Sequence, residues 1–263
     1  MPSDLTRAIV EAYRWQRRLG ARVIAERSCC IVADPAHPDV WDVNHVDDVT
    51  AETETEIEAV LAAMDGRLAH TPWRVVQTDG FTPDAFLACL ALNDFIERPV
   101  TIQMALLETI ADRGAAVTLK PVVSEADWDA VRRLVVANHA ERQSVDDLGL
   151  TPEFSREMTE TYRMKGSAYA FHLVVEDGTP VAYGACAAAP NGVGMIEDLF
   201  TAPAARHRGV ARGMIAAFVD RLRSAGCHAI FLGALADDQP KRLYARLGFR
   251  PVTLARTWVL RRA

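Results

Sequence analysis

The sequence predicts an α/β protein with a mixed sheet, organised in two parts. Three observations carry this. Helix and strand signals alternate after residue 50 and again after residue 115. The chain has 263 residues, half of them hydrophobic and 24% charged, which is enough for one large core or two ordinary ones. An apolar run at 195–200 passes through Pro203 into a basic glycine loop, Arg206-His207-Arg208-Gly209-Val210-Ala211, which opens a helix.

The elements follow in order. Leu5, Ile9, Ala12, Trp15 and Leu19 recur at helical spacing and predict a helix over 5–27. A short strand is expected at 29–33 and a turn at 34–38. A second helix, with an acidic first turn (Glu52, Glu54, Glu56) and Gly66 as its stop, covers 50–66. A strand at 73–78, a helix at 82–95 with Pro83 in its first turn, and a strand at 99–107 complete this part. A boundary is expected at 111–116, giving domains at 1–114 and 115–263.

The second part begins with a strand at 117–121. Ser124 and Asp127 form a variant capping box that opens a helix to about Asn138, and Thr151-Pro152-Glu153 opens another to about Lys165. Strands at 168–176 and 180–188 are joined by Asp177-Gly178, a hairpin signal, and Asn191-Gly192 turns the chain into a strand at 193–200. Then come the loop and its helix to Ser224, a strand at 229–235, a helix at 239–247 and a last strand at 249–260.

The net charge of −6 offers no basic surplus for nucleic acid, so the basic cluster at 206–212 stands out against an acidic background. No apolar run reaches the length of roughly 20 residues that spans a bilayer, and the polar N-terminus lacks the apolar centre of a signal peptide. A cytoplasmic protein is expected. Its five cysteines show no Cys-x-x-Cys and no ligand spacing with the histidines, so free thiols and no metal are expected.

The loop at 206–212 has the ingredients of an anion site. N–H groups in the first turn of a helix lack intrahelical partners and lie at the positive end of its dipole. Gly209 and Ala211 allow close approach, and Arg206, Arg208 and Arg212 add charge. It lacks both the Gly-x-x-x-x-Gly-Lys and the Gly-x-Gly-x-x-Gly pattern, so ATP and NAD sites are unsupported.

Arg206, Gly209 and Ala211 match the [Gln/Arg]-x-x-Gly-x-[Gly/Ala] pattern, with Pro203 three residues ahead, and Leu243, Tyr244, Gly248 and Phe249 match a Leu-Tyr-x-x-x-Gly-Phe context. In these two motifs the last 150 residues or so resemble the GNAT superfamily of N-acetyltransferases. The N-terminal part resembles the second half of such a domain without its phosphate loop, as a degenerate tandem copy would; an unrelated α/β cap is the plain alternative. The resemblance implies acetyl-CoA as donor and a small-molecule or peptide amine as acceptor. It implies that Leu199, Phe200 and Thr201 pair with the pantetheine, with the N–H near Leu199 polarising the acetyl oxygen. The loop from His207 through Arg208, Gly209, Val210, Ala211 and Arg212 to Gly213 would hold the pyrophosphate by its N–H groups, and Tyr244 would be the general acid.

The position of the family's best-known base falls on Met195, which cannot accept a proton. Glu197 is the candidate base: strand alternation places it on one face with Leu199 and Thr201 and turns Asp198 away. A solvated strand residue is the alternative. Asp237, seven residues before the tyrosine where the family often has Asn, is a candidate acceptor contact, beside Asp238. No nucleic acid or membrane partner is expected. Family habit implies a homodimer, unless a tandem chain satisfies that interface internally. The contrasting functional reading is an acyl-CoA-binding regulatory or interaction protein that does not catalyse transfer.

Overall fold

A computed structural model describes residues 4–143 and 150–262. It divides into two compact units. The first holds 1–103, 234–239 and 251–263, and the second holds 104–233 and 240–250. The division is thus not one cut along the chain, because two C-terminal segments pack with the first unit.

In the first unit, α1 (Asp4–Arg17) ends earlier than its apolar spacing suggests. Gly20 adopts φ 77° and turns the chain into β1 (Arg22–Ala25), which pairs antiparallel with β2 (Cys30–Ala33). The expected helix to residue 27 is corrected at this point: Arg22 to Ala25 find ladder partners in Ala33 to Cys30, which a solvent-exposed continuation of α1 would not have. β3 (His45–Asp47) pairs antiparallel with β2 and parallel with β4 (Trp73–Thr78), and β4 pairs antiparallel with β12 (Arg250–Arg261).

α2 (Glu54–Arg67) and α3 (Asp84–Leu92) follow the third and fourth strands. Ile57, Val60 and Met64 of α2 and Phe86 and Leu90 of α3 join Ile31, Val46 and Val76 of the sheet in one buried cluster. Burying side chains of this size contributes about 1.5–3 kcal/mol each. Two-residue β5 (Ile96–Glu97) adds to β12, and β6 (Thr101–Leu106) begins in the residues of the first unit and ends in those of the second.

The second unit repeats that plan at greater length. β7 (Leu119–Pro121), β8 (Ala170–Glu176), β9 (Thr179–Ala188) and β10 (Val193–Thr201) pair antiparallel in sequence order, and β10 pairs parallel with β11 (Ala229–Leu235). α4 (Glu125–Gln143) and α5 (Pro152–Met164) precede β8, α6 (Val210–Ser224) joins β10 to β11, and α7 (Pro240–Leu247) follows β11. The element order matches the one expected from sequence. α4 and α5 cover one face: Phe171 meets Trp128 and Tyr162 with ring centroids 5.5 and 4.9 Å apart, and Asn138 Nδ2 donates to Tyr183 Oη at 3.1 Å. α6 covers the other. A Cβ on Gly184 would lie 2.8 Å from Leu199 Cδ2 and 3.0 Å from Phe218, so only glycine lets the helix settle there.

Candidate active site

The site starts where β10 gives way to α6. His207 and Gly209 both adopt left-handed backbone, φ 60° and 86°, and Gly209 caps α6 without a side-chain hydrogen bond. Arg206 N–H donates to Pro203 O (3.2 Å) and Gly213 N–H to Gly209 O (3.0 Å). Between them, among the described residues, no backbone acceptor takes the N–H groups of His207, Arg208, Gly209, Val210, Ala211 and Arg212. Six adjacent donors at the positive end of a 15-residue helix could hold an anion. Gly213 falls outside the set, because its own N–H is engaged within the helix.

The arginines divide by role. Arg206 is structural: Nε donates to Thr201 O (2.9 Å), the guanidinium forks onto Glu141 at 2.7 and 2.6 Å, and it lies over the Phe200 ring. Arg208 pairs with Glu176 at 2.9 Å and Arg212 with Asp112 at 2.5 Å. The Arg208 and Arg212 side chains are 58% and 41% exposed, so these pairs are worth about 0–1 kcal/mol and leave both arginines free to turn to a phosphate.

A strap lies along α6. Arg223 donates to the carbonyls of Leu106, Leu107 and Glu108, Arg113 pairs with Asp220, and Ala115 reaches the helix start. A Cβ on Gly213 would lie 2.0 Å from Ala115 O, and one on Gly209 3.0 Å from Ala115 N. Packing of the strap is thus the reason for glycine at 213. No local sequence pattern announces the strap, since its contacts join segments about a hundred residues apart.

Two irregularities shape β10 just before the loop. Its parallel pairing with β11 ends at Ile196 and Leu232, so the strands splay beyond that point. Its antiparallel pairing with β9 jumps from Glu197↔Ala185 to Phe200↔Tyr183, three residues against two. The extra residue makes a bulge, with Asp198 left-handed at φ 52°.

The bulge overturns the simple alternation. Phe200, opposite Tyr183, faces α4 and α5, as does Glu197, opposite Ala185; Leu199 faces α6. Asp198 also turns toward α5, where Tyr162 Oη donates to its Oδ1 at 3.0 Å and Tyr169 Oη to its Oδ2 at 2.6 Å. Burial, with the charges of Asp198 and Glu197, pushes the Tyr169 phenol far above its ordinary range, so it remains a donor. Sequence reasoning missed this trio. Two adjacent acids deep in an apolar strand were the one available signal.

Tyr244 is buried on α7, its ring 6.4 Å from Phe249, and Gly248 at φ 107° ends the helix so that Phe249 enters the core. Asp237 is exposed, in the short segment that packs with the first unit. His139 and His172 are buried: His139 shares a hydrogen bond with Ser155 Oγ at 2.8 Å, and burial lowers its pKa to about 4.

The donor set suits a pyrophosphate, and beside it the ladder between β10 and β11 ends at Ile196, an edge of the kind an extended amide chain pairs with. Among the described residues no helix is long and apolar enough to cross a membrane. No protein with a curated description matches the sequence. Among solved structures the chain is similar to a GCN5-related N-acetyltransferase from Kribbella flavida, with 17% identity, TM-score 0.71, and coverage of 97% of this chain and 95% of that one. A functionally unknown conserved protein from Staphylococcus epidermidis aligns with 13% identity and TM-score 0.69 over 92% and 95% of the two chains. A tandem GNAT protein from the clavulanic acid biosynthesis pathway aligns with 12% identity and TM-score 0.59 over 91% and 81%. At these identities the likeness establishes the fold alone. Residues 128–249 match the model of the acetyltransferase (GNAT) family.

Proposed function

We propose that the chain moves an acetyl group from acetyl-CoA directly to an amine in a ternary complex. The observation that carries this reading is the adjacency of two features: a helix start with six uncommitted N–H donors, and a strand that leaves its parallel neighbour just before it. Acetyl-CoA bound there would supply the activated acetyl thioester.

The chain's own groups then have separable tasks. The N–H groups of His207 to Arg212, with the Arg208 and Arg212 guanidinium groups, hold the pyrophosphate. Leu199 N–H donates to the acetyl oxygen, where negative charge develops as the amine attacks. Glu197, on the α4–α5 face, receives the proton the amine gives up, directly or through one water. Tyr244 Oη supplies the proton that the departing sulfur takes as the carbon–sulfur bond breaks. Glu197 and Asp198 make the acceptor side acidic, which suits a cationic amine, whether a small molecule or a peptide.

Tyr244→Phe is expected to lower kcat by roughly 100-fold or more while acetyl-CoA affinity stays within about twofold. Calorimetry and thiol release with spermidine, neamine and lysinamide as acceptors separate the two quantities. Equal turnover in variant and wild type would remove Tyr244 from the chemistry. Tight acetyl-CoA binding with no amine acetylated across the panel would favour the non-catalytic acyl-CoA-binding reading.

A further inference from the structure

The bulge in β10 has an unusual support. A left-handed conformation is costly for a residue with a side chain, and glycine is the residue that takes it freely. Asp198 takes it in mid-strand, with both carboxylate oxygens held by phenols, Tyr162 from the end of α5 and Tyr169 from the turn before β8. Hydrogen bonds to a carboxylate are stronger than neutral ones, and two of them in a partly buried setting offset the backbone cost. Neither Asp198 nor Leu199 pairs with β9, so the β-ladder does not orient the peptide between them. What orients it is the conformation of Asp198.

The first unit contains the same device in other residues. Asp47 is the last residue of β3 to pair with β2, as Glu197 is the last in β10 before the shift. The next residue, Asp48, is left-handed at φ 55°, and its carboxylate is held by Arg14 and Arg18, from α1 and its end. Twice, then, the preceding helix and the turn after it supply two grips to an aspartate that follows the last residue paired in register, in the strand that leads to α2 or α6. A grip that persists through two sets of side chains serves the strand geometry.

We propose that Asp198 is a positioning residue: clamped by Tyr162 and Tyr169, it sets the direction of the Leu199 N–H and so the polarisation of the acetyl carbonyl. This rests on the acetyl-transfer reading above. In it Asp198 does not touch the reacting atoms, and the two tyrosines act through it.

The test is isotope-edited infrared spectroscopy of acetyl-CoA, labelled with ¹³C at the acetyl carbonyl, on the full chain at saturating concentration set by calorimetry. In the wild type the carbonyl band should fall below that of free acetyl-CoA. Asp198→Ala should return it toward the free value and lower kcat by about tenfold or more, with acetyl-CoA affinity within about twofold. The Tyr162→Phe/Tyr169→Phe double variant keeps the Asp198 charge and most of the packing, and should move the band the same way. Asp198→Gly, which enters the left-handed region without strain, should recover part of the shift, and it provides a folded variant should Asp198→Ala not fold.

A band that stays shifted in all three variants would overturn the positioning role while leaving acetyl transfer standing. A band lost in Asp198→Ala but kept in the double tyrosine variant would assign the effect to the carboxylate's charge and overturn the clamp. Failure of the wild type to bind acetyl-CoA would overturn the acetyl-transfer reading itself, and this inference with it.

Discussion

β3 of the first unit leads to α2 and β10 of the second to α6, and the two helix starts are chemical opposites. At α2, Thr53 and Glu56 close a capping box: Thr53 Oγ1 accepts from Glu56 N–H, and Glu56 Oε2 accepts from the N–H groups of Glu52 and Thr53 at 3.2 Å. Three glutamates, Glu52, Glu54 and Glu56, surround that end. At α6 a left-handed glycine caps the helix, no side chain fills the N–H groups, and the nearby charges are arginines. The first helix carries its own anion and the second is built to receive one. Such a box contributes about 1 kcal/mol to α2, a stabilisation that α6 forgoes. Two units of similar plan thus differ in the chemistry of a single helix start.

The acid pairs differ in the same sense. In the first unit Arg18 forks onto Asp47 at 3.1 and 2.6 Å while Arg14 holds Asp48. In the second, neutral phenols hold Asp198.

The largest expected contrast is in acid stability. His139 of the second unit has a folded pKa of about 4, below the 6.5 of an exposed histidine, because burial and the Arg142 charge oppose protonation. The unfolded chain therefore binds this proton first. The stability this group contributes is complete above pH 6.5 and is lost as pH falls toward 4, by roughly 3 kcal/mol at most. His139→Gln should flatten the decline of the urea midpoint between pH 7 and 4.5. An unchanged pH profile would show that His139 does not set it.

Next comes a pair of helix glycines. Gly213→Ala should destabilise by about 1–3 kcal/mol, because its methyl would fall 2.0 Å from Ala115 O. Gly66→Ala in α2 meets nothing within 4 Å and should stabilise by about 0.5–1 kcal/mol. Chemical denaturation of both variants reads the two signs. Equal signs would remove the claim that the strap packs on α6 alone.

The smallest effect concerns Asp112. A hydrogen bond from Gly114 N–H and the Arg212 guanidinium hold its carboxyl below the usual carboxylate range. Asp112→Asn weakens the hold on Arg212 and should tighten acetyl-CoA binding by about two- to fivefold. Weaker binding in calorimetry would mean that the strap supports the loop and does not compete for its arginine.

Much of this was legible in the sequence. The strands at 73–78 and 229–235 and the whole element order of the second unit follow from periodicity and turn residues, because those elements are long enough to show a period. β3 has three residues and β5 two, too few for any pattern, and β1 is hidden behind the apolar spacing of α1. The loop's backbone form, a glycine-capped helix start among arginines, could be read because it is local. The bulge could not: one inserted residue redirects every side chain after it, and alternation assumes no insertion. The grip on Asp198 joins residues 29 and 36 positions apart, and the return of 234–239 and 251–263 to the first unit is also long-range.

The most direct test of the contrast between the two helix starts is calorimetric titration of the full chain with acetyl-CoA, alongside the Arg208→Glu/Gly209→Glu variant. The account predicts one molecule bound per chain, with affinity lost by about 100-fold or more in the variant, since the α2 start offers no second site. Two molecules per chain, or binding that survives the variant unchanged, would contradict it.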